Sequence, residues 1–333
     1  MRPFVKIFLI FICFPGFAQE TTFSNDELFH AKNRLEVRQT VHELLMAYRF
    51  GHKNRLAVLH EKIEKIKPDS AEVWYFRALR FYSQGEKGRA SMALEESLKI
   101  SEKFDPALNL MGLILSQAER TEEAARFFQS AVELSPYDPT YVYNLAHAYY
   151  GMGRLYEAHA TVEKALNLKQ NFADARYLNA LILKDEGKLD LSLLNFSEAR
   201  QLGFRSIEFY KDYLDVAEKA GKDDIVFDIC ELREIQTLPE FQRIHARTRL
   251  RYGEYKKAAE ILERFVKTKY AVVDDKKNYL YSLFKLNLPY KEKVISIATD
   301  MEEKKLLFEY ADSFKQLSQT NTGVRDPIVV PAK

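Results

Sequence analysis

Apolar and polar positions along this chain follow helical rather than strand spacing, in short blocks that glycine interrupts. In YNLAHAYYGMGRLYEA, Tyr143 to Ala158, the residues Leu145, Ala146 and Tyr149 share one helical face, and Gly151 and Gly153 then break the pattern. Glycine costs a helix interior about 1 kcal/mol relative to alanine, so two glycines this close predict a stop and a chain reversal before a second helix that carries Ala158.

The punctuation returns at a fixed distance. Gly51, Gly85, Gly153, Gly187 and Gly221 share a 34-residue phase in which Glu119 fills one vacancy. Three series of small residues keep the same phase: Ala90, Ala124, Ala158 and Ser192; Ser97, Ala131, Ala165 and Ala199; Ala78, Gly112, Ala146 and Ala180. Such a period implies one pair of antiparallel helices per unit. Small side chains sit where helix backbones approach, glycine sits where the first helix ends, and units stack because each alone leaves an apolar face exposed.

AEVWYFRALRFYSQGEKGRASMALEESLKI from Ala71 and YVYNLAHAYYGMGRLYEAHATVEKALNL from Tyr141 carry the same order of aromatic, small, glycine, alanine and large apolar positions, and Pro68 and Pro136 fall just past second helices. In these features the chain resembles the tetratricopeptide repeat (TPR) family. The resemblance implies an all-α fold, a right-handed α-solenoid of antiparallel helix pairs. Six units are expected in phase over 37–240, the strongest over 71–206, preceded by an N-terminal helical segment at 19–36. Divergent units are expected over 241–302, where the turn GEYKKA at Gly253 lies 32 residues after Gly221, then a capping helix at 303–318 and a flexible tail at 319–333.

The first residues, MRPFVKIFLIFICFPGFAQE, place Arg2 and Lys6 before an apolar run, with Gly16 and Ala18 where a signal peptidase reads small residues. The expectation is an exported, periplasmic protein cleaved after Ala18, since the run is short for a helix across a bilayer of about 30 Å. Ile12 is large where a lipoprotein needs a small residue before Cys13, which disfavours lipid attachment. Cleavage would take the formal charge from +2 to 0, leaving no global attraction for nucleic acid. It would also leave Cys230 without an intramolecular disulfide partner.

Chemistry-bearing motifs are missing. There is no phosphate loop, dinucleotide fingerprint, nucleophile elbow or zinc helix, and GEKGRAS at Gly85 belongs to an inter-helix turn. His42, His52 and His60 lack acidic or cysteine ligands at helical spacing, so no metal and no cofactor is expected. An enzyme is not indicated.

A binding surface is indicated instead. The second, fifth, ninth and twelfth positions of each unit form a stripe rotated by roughly 130 degrees from the core-facing one. It reads Glu72, Tyr75, Leu79, Tyr82; Pro106, Asn109, Leu113, Ser116; Thr140, Tyr143, His147, Tyr150; and Asp174, Tyr177, Leu181, Lys184. A solvated stripe should be polar, and tyrosines supply rigid area with a hydroxyl, suited either to recognition or to packing between helices. Farther on, Glu208, Lys211, Asp215 and Glu218 look like a solvated face, whereas Arg243, Arg247 and Arg251 recur at one-turn spacing and suit an anion or pairing with acids such as Glu240 or Glu254.

By resemblance the first helices line a concave groove that binds a protein or peptide segment. At the positions of the family's best-known carboxylate clamp this chain has Asn109, Leu113, Asn144, Asp174 and Leu178, of which only Asn144 matches. The expected function is therefore a non-enzymatic protein-binding scaffold of the cell envelope. The alternative is an adaptor for a glycan or anionic lipid through Tyr75, Tyr143 and Tyr177 with Arg243 and Arg247.

Overall fold

A computed structural model describes residues 36, 39–44, 46–47, 52–66 and 70–319, and all regular structure among them is helical. The expected leader with Cys13, the turn residues Gly51 and Pro68, and residues 320–333 lie outside the described residues. The chain divides into two compact units, one up to Glu186 and one from Gly187.

The first unit contains α1 (Lys53–Ile66), α2 (Ala71–Ser83), α3 (Lys87–Ile100), α4 (Asp105–Ser116), α5 (Thr121–Leu134), α6 (Pro139–Gly151), α7 (Leu155–Leu168) and α8 (Ala173–Asp185). Helices packed hardest are α2 on α3, α4 on α5 and α6 on α7, each an antiparallel pair joined by a short turn, and each pair then meets the next. The small residues make these contacts. Ala78, Ala90, Ala124, Ala131, Ala146, Ala158 and Ala165 are all fully buried, and Ser97 is buried while donating its hydroxyl to the Ala71 carbonyl at 2.7 Å. Large side chains fill what the small ones leave, with Phe76, Phe128 and Tyr141 among the best buried. Helix starts are fixed locally: Ser70 accepts from the Val73 amide, and the Asp138 carboxylate accepts from Thr140 and Tyr141.

Turns within the pairs α2–α3 and α4–α5 are closed in the same way. The amide of Glu86 donates to the Phe81 carbonyl and that of Gly85 to Tyr82, which satisfies two orphan carbonyls of α2 and requires a left-handed residue at Gly85, where φ is +83°. The pattern recurs with Arg120 to Leu115 and Glu119 to Ser116, so Glu119, at φ +61°, adopts the glycine conformation with a full side chain. That conformation costs an L residue about 1 to 2 kcal/mol, and the greater unfolded-state freedom of glycine offsets up to about 1. Glu119→Gly is thus expected to raise stability by about 0.5 to 1 kcal/mol, read from the urea midpoint, and a lower midpoint would contradict this account of the turn.

The second unit contains α9 (Leu189–Gln201), α10 (Ile207–Lys219), α11 (Asp223–Cys230), α12 (Pro239–Arg251), α13 (Tyr255–Phe265), α14 (Val273–Lys285), α15 (Lys291–Ile297) and α16 (Met301–Gln319). Here the register slips for a visible reason. The helix α11 is only 8 residues long, with the branched, fully buried Val226 at a position that is alanine or serine in the earlier pairs, and the chain from 231 to 238 reaches α12 through turns that bury Ile235. Pro289 lies in the turn before α15. At the far end Phe314 of α16 stacks on Phe284 with ring centroids 4.8 Å apart and meets Tyr281 and Tyr290 edge-on. This aromatic cluster holds the last helix on α14 and α15.

Candidate partner-binding surface

In the first unit the predicted stripe lies on α2, α4, α6 and α8, the first helices of successive pairs. The helices α4 and α6 touch one another, as do α6 and α8. Three side-chain bonds rung these neighbours: Gln117, just past α4, donates to the Tyr82 hydroxyl; Asn144 donates to the Asn109 carbonyl at 2.8 Å; Tyr150 donates to Asp185 at 2.8 Å. Each joins residues 35 apart, one more than the sequence period, so a residue on one first helix meets the following helix one position farther along. Asn179 continues the asparagine spacing but donates instead to Glu163 of α7, at 2.7 Å.

These contacts sort the predicted residues. Tyr75 and Leu79 are only 5% and 3% exposed, and Tyr75 spends its ring on Phe76 and Phe104 in edge contacts. Asn109 and Asn144 are likewise buried, the Asn144 amide donating to the Asn109 carbonyl, a partner that a buried polar group requires. None of these four offers much surface. Tyr82, Leu113, Tyr143, Tyr150, Tyr177 and Leu181 are half-buried and His147 is exposed. Water therefore reaches a strip that runs from α2 to α8 and is largely apolar and aromatic.

Protein surrounding His147 penalises the charged imidazole and holds its pKa below the ordinary value, although the residue is exposed. Burial, with the nearby Asp174 carboxylate, raises the Tyr143 phenol, so its hydroxyl stays a hydrogen-bond donor. The Tyr143 ring packs on Phe172 with centroids 5.1 Å apart and lies 6.2 Å from the His147 ring. Sequence alone did not single out Gln117 and Asp185, the polar partners along this strip. The recurrence of asparagine at 109, 144 and 179 is the signal that shows the offset period.

The arginines of the second unit are engaged. Arg243 makes a forked contact with Asp275 of α14, at 2.9 Å from Nε and 3.0 Å from Nη2, and also donates to the Tyr270 carbonyl. Arg247 bonds Glu218 of α10 at 2.7 Å, and Arg251 bonds Asp223 of α11 at 2.5 Å. Glu240 and Glu254, the expected partners, instead take Lys211 and Arg249. Arg249 is buried, lies over the Phe227 ring and bonds both Glu231 and Glu254. An anion would have to displace a carboxylate at each position, so α12 is a staple among helices of its own unit.

Among the described residues no group of His, Cys, Asp and Glu is arranged to hold a metal ion, and no helix is long and apolar enough to cross a membrane. His60 is buried against Phe76. Cys230 is 1% exposed, and burial pushes its thiol up to about 12, so it packs as a small hydrophobe.

A family model described as tetratricopeptide repeat matches residues 115–182, the segment from the end of α4 through most of α8. Among solved structures, PilF of Pseudomonas aeruginosa is similar at 20% identity and a TM-score of 0.55, over 65% of this chain and 99% of that one. PilW, described as a widely conserved type IV pilus biogenesis factor, is similar at 16% identity and a TM-score of 0.52, over 61% of this chain and 97% of that one. At such identities the likeness is one of fold. No curated protein matches the chain.

Proposed function

We propose that this chain, which matches a tetratricopeptide repeat model over residues 115–182 and shares its fold with PilF and PilW, is a non-enzymatic scaffold of the cell envelope, holding an uncharged segment of a partner protein against the first helices of its first unit. One observation carries the reading: a strip of Leu113, Tyr143, His147, Tyr150, Tyr177 and Leu181 that stays partly accessible where Leu113, Tyr143 and Tyr150 also rest on the core, with an exposed histidine whose charged form its surroundings disfavour. Tyrosine and leucine at helical spacing give rigid apolar area, and the phenol of Tyr143 adds a donor for a partner carbonyl. The leader-like residues 1–18 support an exported location.

The test is recovery of partners from envelope extracts by wild type and by a Tyr143→Ala, His147→Ala, Tyr177→Ala variant whose helical content and unfolding midpoint are checked first. Partners held by this strip are expected to survive added salt and to be lost with the variant. Equal recovery by both proteins would sink the proposal. Tyr75 is left intact because its ring belongs to the core, and truncating it would confuse folding with binding.

A further inference from the structure

The second helices of the first unit carry a separate feature. A cleft of about 530 Å³ opens between the second helices α3 and α5, floored by Met111 and Leu115 of α4 and walled by Leu98 and Phe127. Met111 and Leu115 are buried, while Leu98 and Phe127 remain half-buried, so the floor is apolar and the walls are open to a partner. Helices in contact lie about 8 to 10 Å apart, and α3 and α5 are each packed on α4, so the trough between them has the scale of one more helix of about 10 Å diameter.

The mouth is acidic. Of its cations, Lys99 is hydrogen-bonded to Glu96 at 2.6 Å, and Arg120 is held by both carboxylate oxygens of Glu123 at 2.6 Å. Glu95 on α3 and Glu102 just beyond its end make no ion pair with any described residue, although Glu95 lies near enough to Lys99 to help raise its pKa. We propose that this cleft is a second docking site, for an amphipathic helix of a partner protein whose apolar stripe is flanked by lysine or arginine. The stripe would cover Leu98, Met111, Leu115 and Phe127, and the flanking cations would meet Glu95 and Glu102. This site is independent of the tyrosine strip.

The probe is a pair of fluorescent synthetic peptides, both helical with leucines on one face, one flanked by lysine and the other by glutamate. The full chain is expected to bind the lysine peptide saturably in an anisotropy titration and the glutamate peptide far more weakly. Reversing both free charges, Glu95→Lys with Glu102→Lys, is expected to weaken the lysine peptide about tenfold, the worth of two exposed ion pairs, and to strengthen the glutamate peptide. Both positions are exposed, so the fold should survive, as the unfolding midpoint will show. The Tyr143, His147 and Tyr177 variant should bind the lysine peptide like wild type, which separates failure of this site from failure of the strip. Absence of binding by either peptide, or undiminished lysine-peptide binding after charge reversal, would overturn the proposal.

Discussion

Replacing Glu303 with glutamine is expected to destabilise the second unit by about 3 to 5 kcal/mol, the cost of stranding a buried charge. Lys276 of α14 is only 2% exposed in its side chain, and its ammonium donates to both Glu303 oxygens of α16 at 2.8 Å. Glutamine keeps the shape and one carbonyl acceptor but leaves the ammonium without a counter-charge. A Lys276→Met, Glu303→Leu double variant should recover most of the loss, because a buried ion pair is worth little against apolar packing of similar volume. The pH dependence has a definite sign. Burial raises the Glu303 pKa, but hydrogen bonds from Lys276 and Thr299 outweigh it and hold the group below 4.5. A carboxylate depressed on folding contributes stability that is present above its unfolded value and lost as pH falls through the folded one. Wild type should therefore lose stability below about pH 4.5 more steeply than the double variant. Urea unfolding, with hydrogen exchange in α14 and α16, measures both effects, and a loss under about 1 kcal/mol for Glu303→Gln would show that water already reaches the pair.

What the sequence disclosed follows from how narrowly physics constrains each position. The turns were legible because a left-handed residue is nearly always glycine, and even Glu119 was visible as a gap in the series before its φ of +61° was known. The helix pairs were legible because alanine is needed where backbones meet. The strip was legible as a stripe but not in its depth. Tyr75 and Tyr143 occupy the same position in their pairs, yet Tyr75 closes against Phe76 and Phe104 and is buried, while Tyr143 stays half-open beside an exposed His147. That the arginines would pair with acids was legible, but which acids was not. Arg243 finds Asp275 and Arg251 finds Asp223 because α11 stops after two turns and resets the register of α12, a tertiary fact with no local signature.

Adding one methyl group at Gly112 is expected to cost about 1 to 3 kcal/mol, although alanine is ordinarily the better helix residue by about 1. The reason lies across the α4 and α5 pair, where a Cβ on Gly112 would stand 2.6 Å from Cε1 and 2.7 Å from Cδ1 of the Phe128 ring. Phe128 is 2% exposed, so the ring has nowhere to retreat without disturbing its neighbours. The series that reads Ala78, Gly112, Ala146 and Ala180 thus loses its methyl at Gly112, where the Phe128 ring occupies the space. Phe128→Ala alone should cost about 3 to 5 kcal/mol through the cavity it leaves. In that background Gly112→Ala should change sign and stabilise by up to about 1 kcal/mol, since the clash is gone and only the helical preference remains. A double-mutant cycle by urea unfolding reads this coupling directly, and additive costs would mean that the two residues do not share the space. Because α4 carries Leu113 toward the strip and Met111 and Leu115 toward the outer cleft, Gly112→Ala should also weaken binding at both surfaces while removing no contact residue from either.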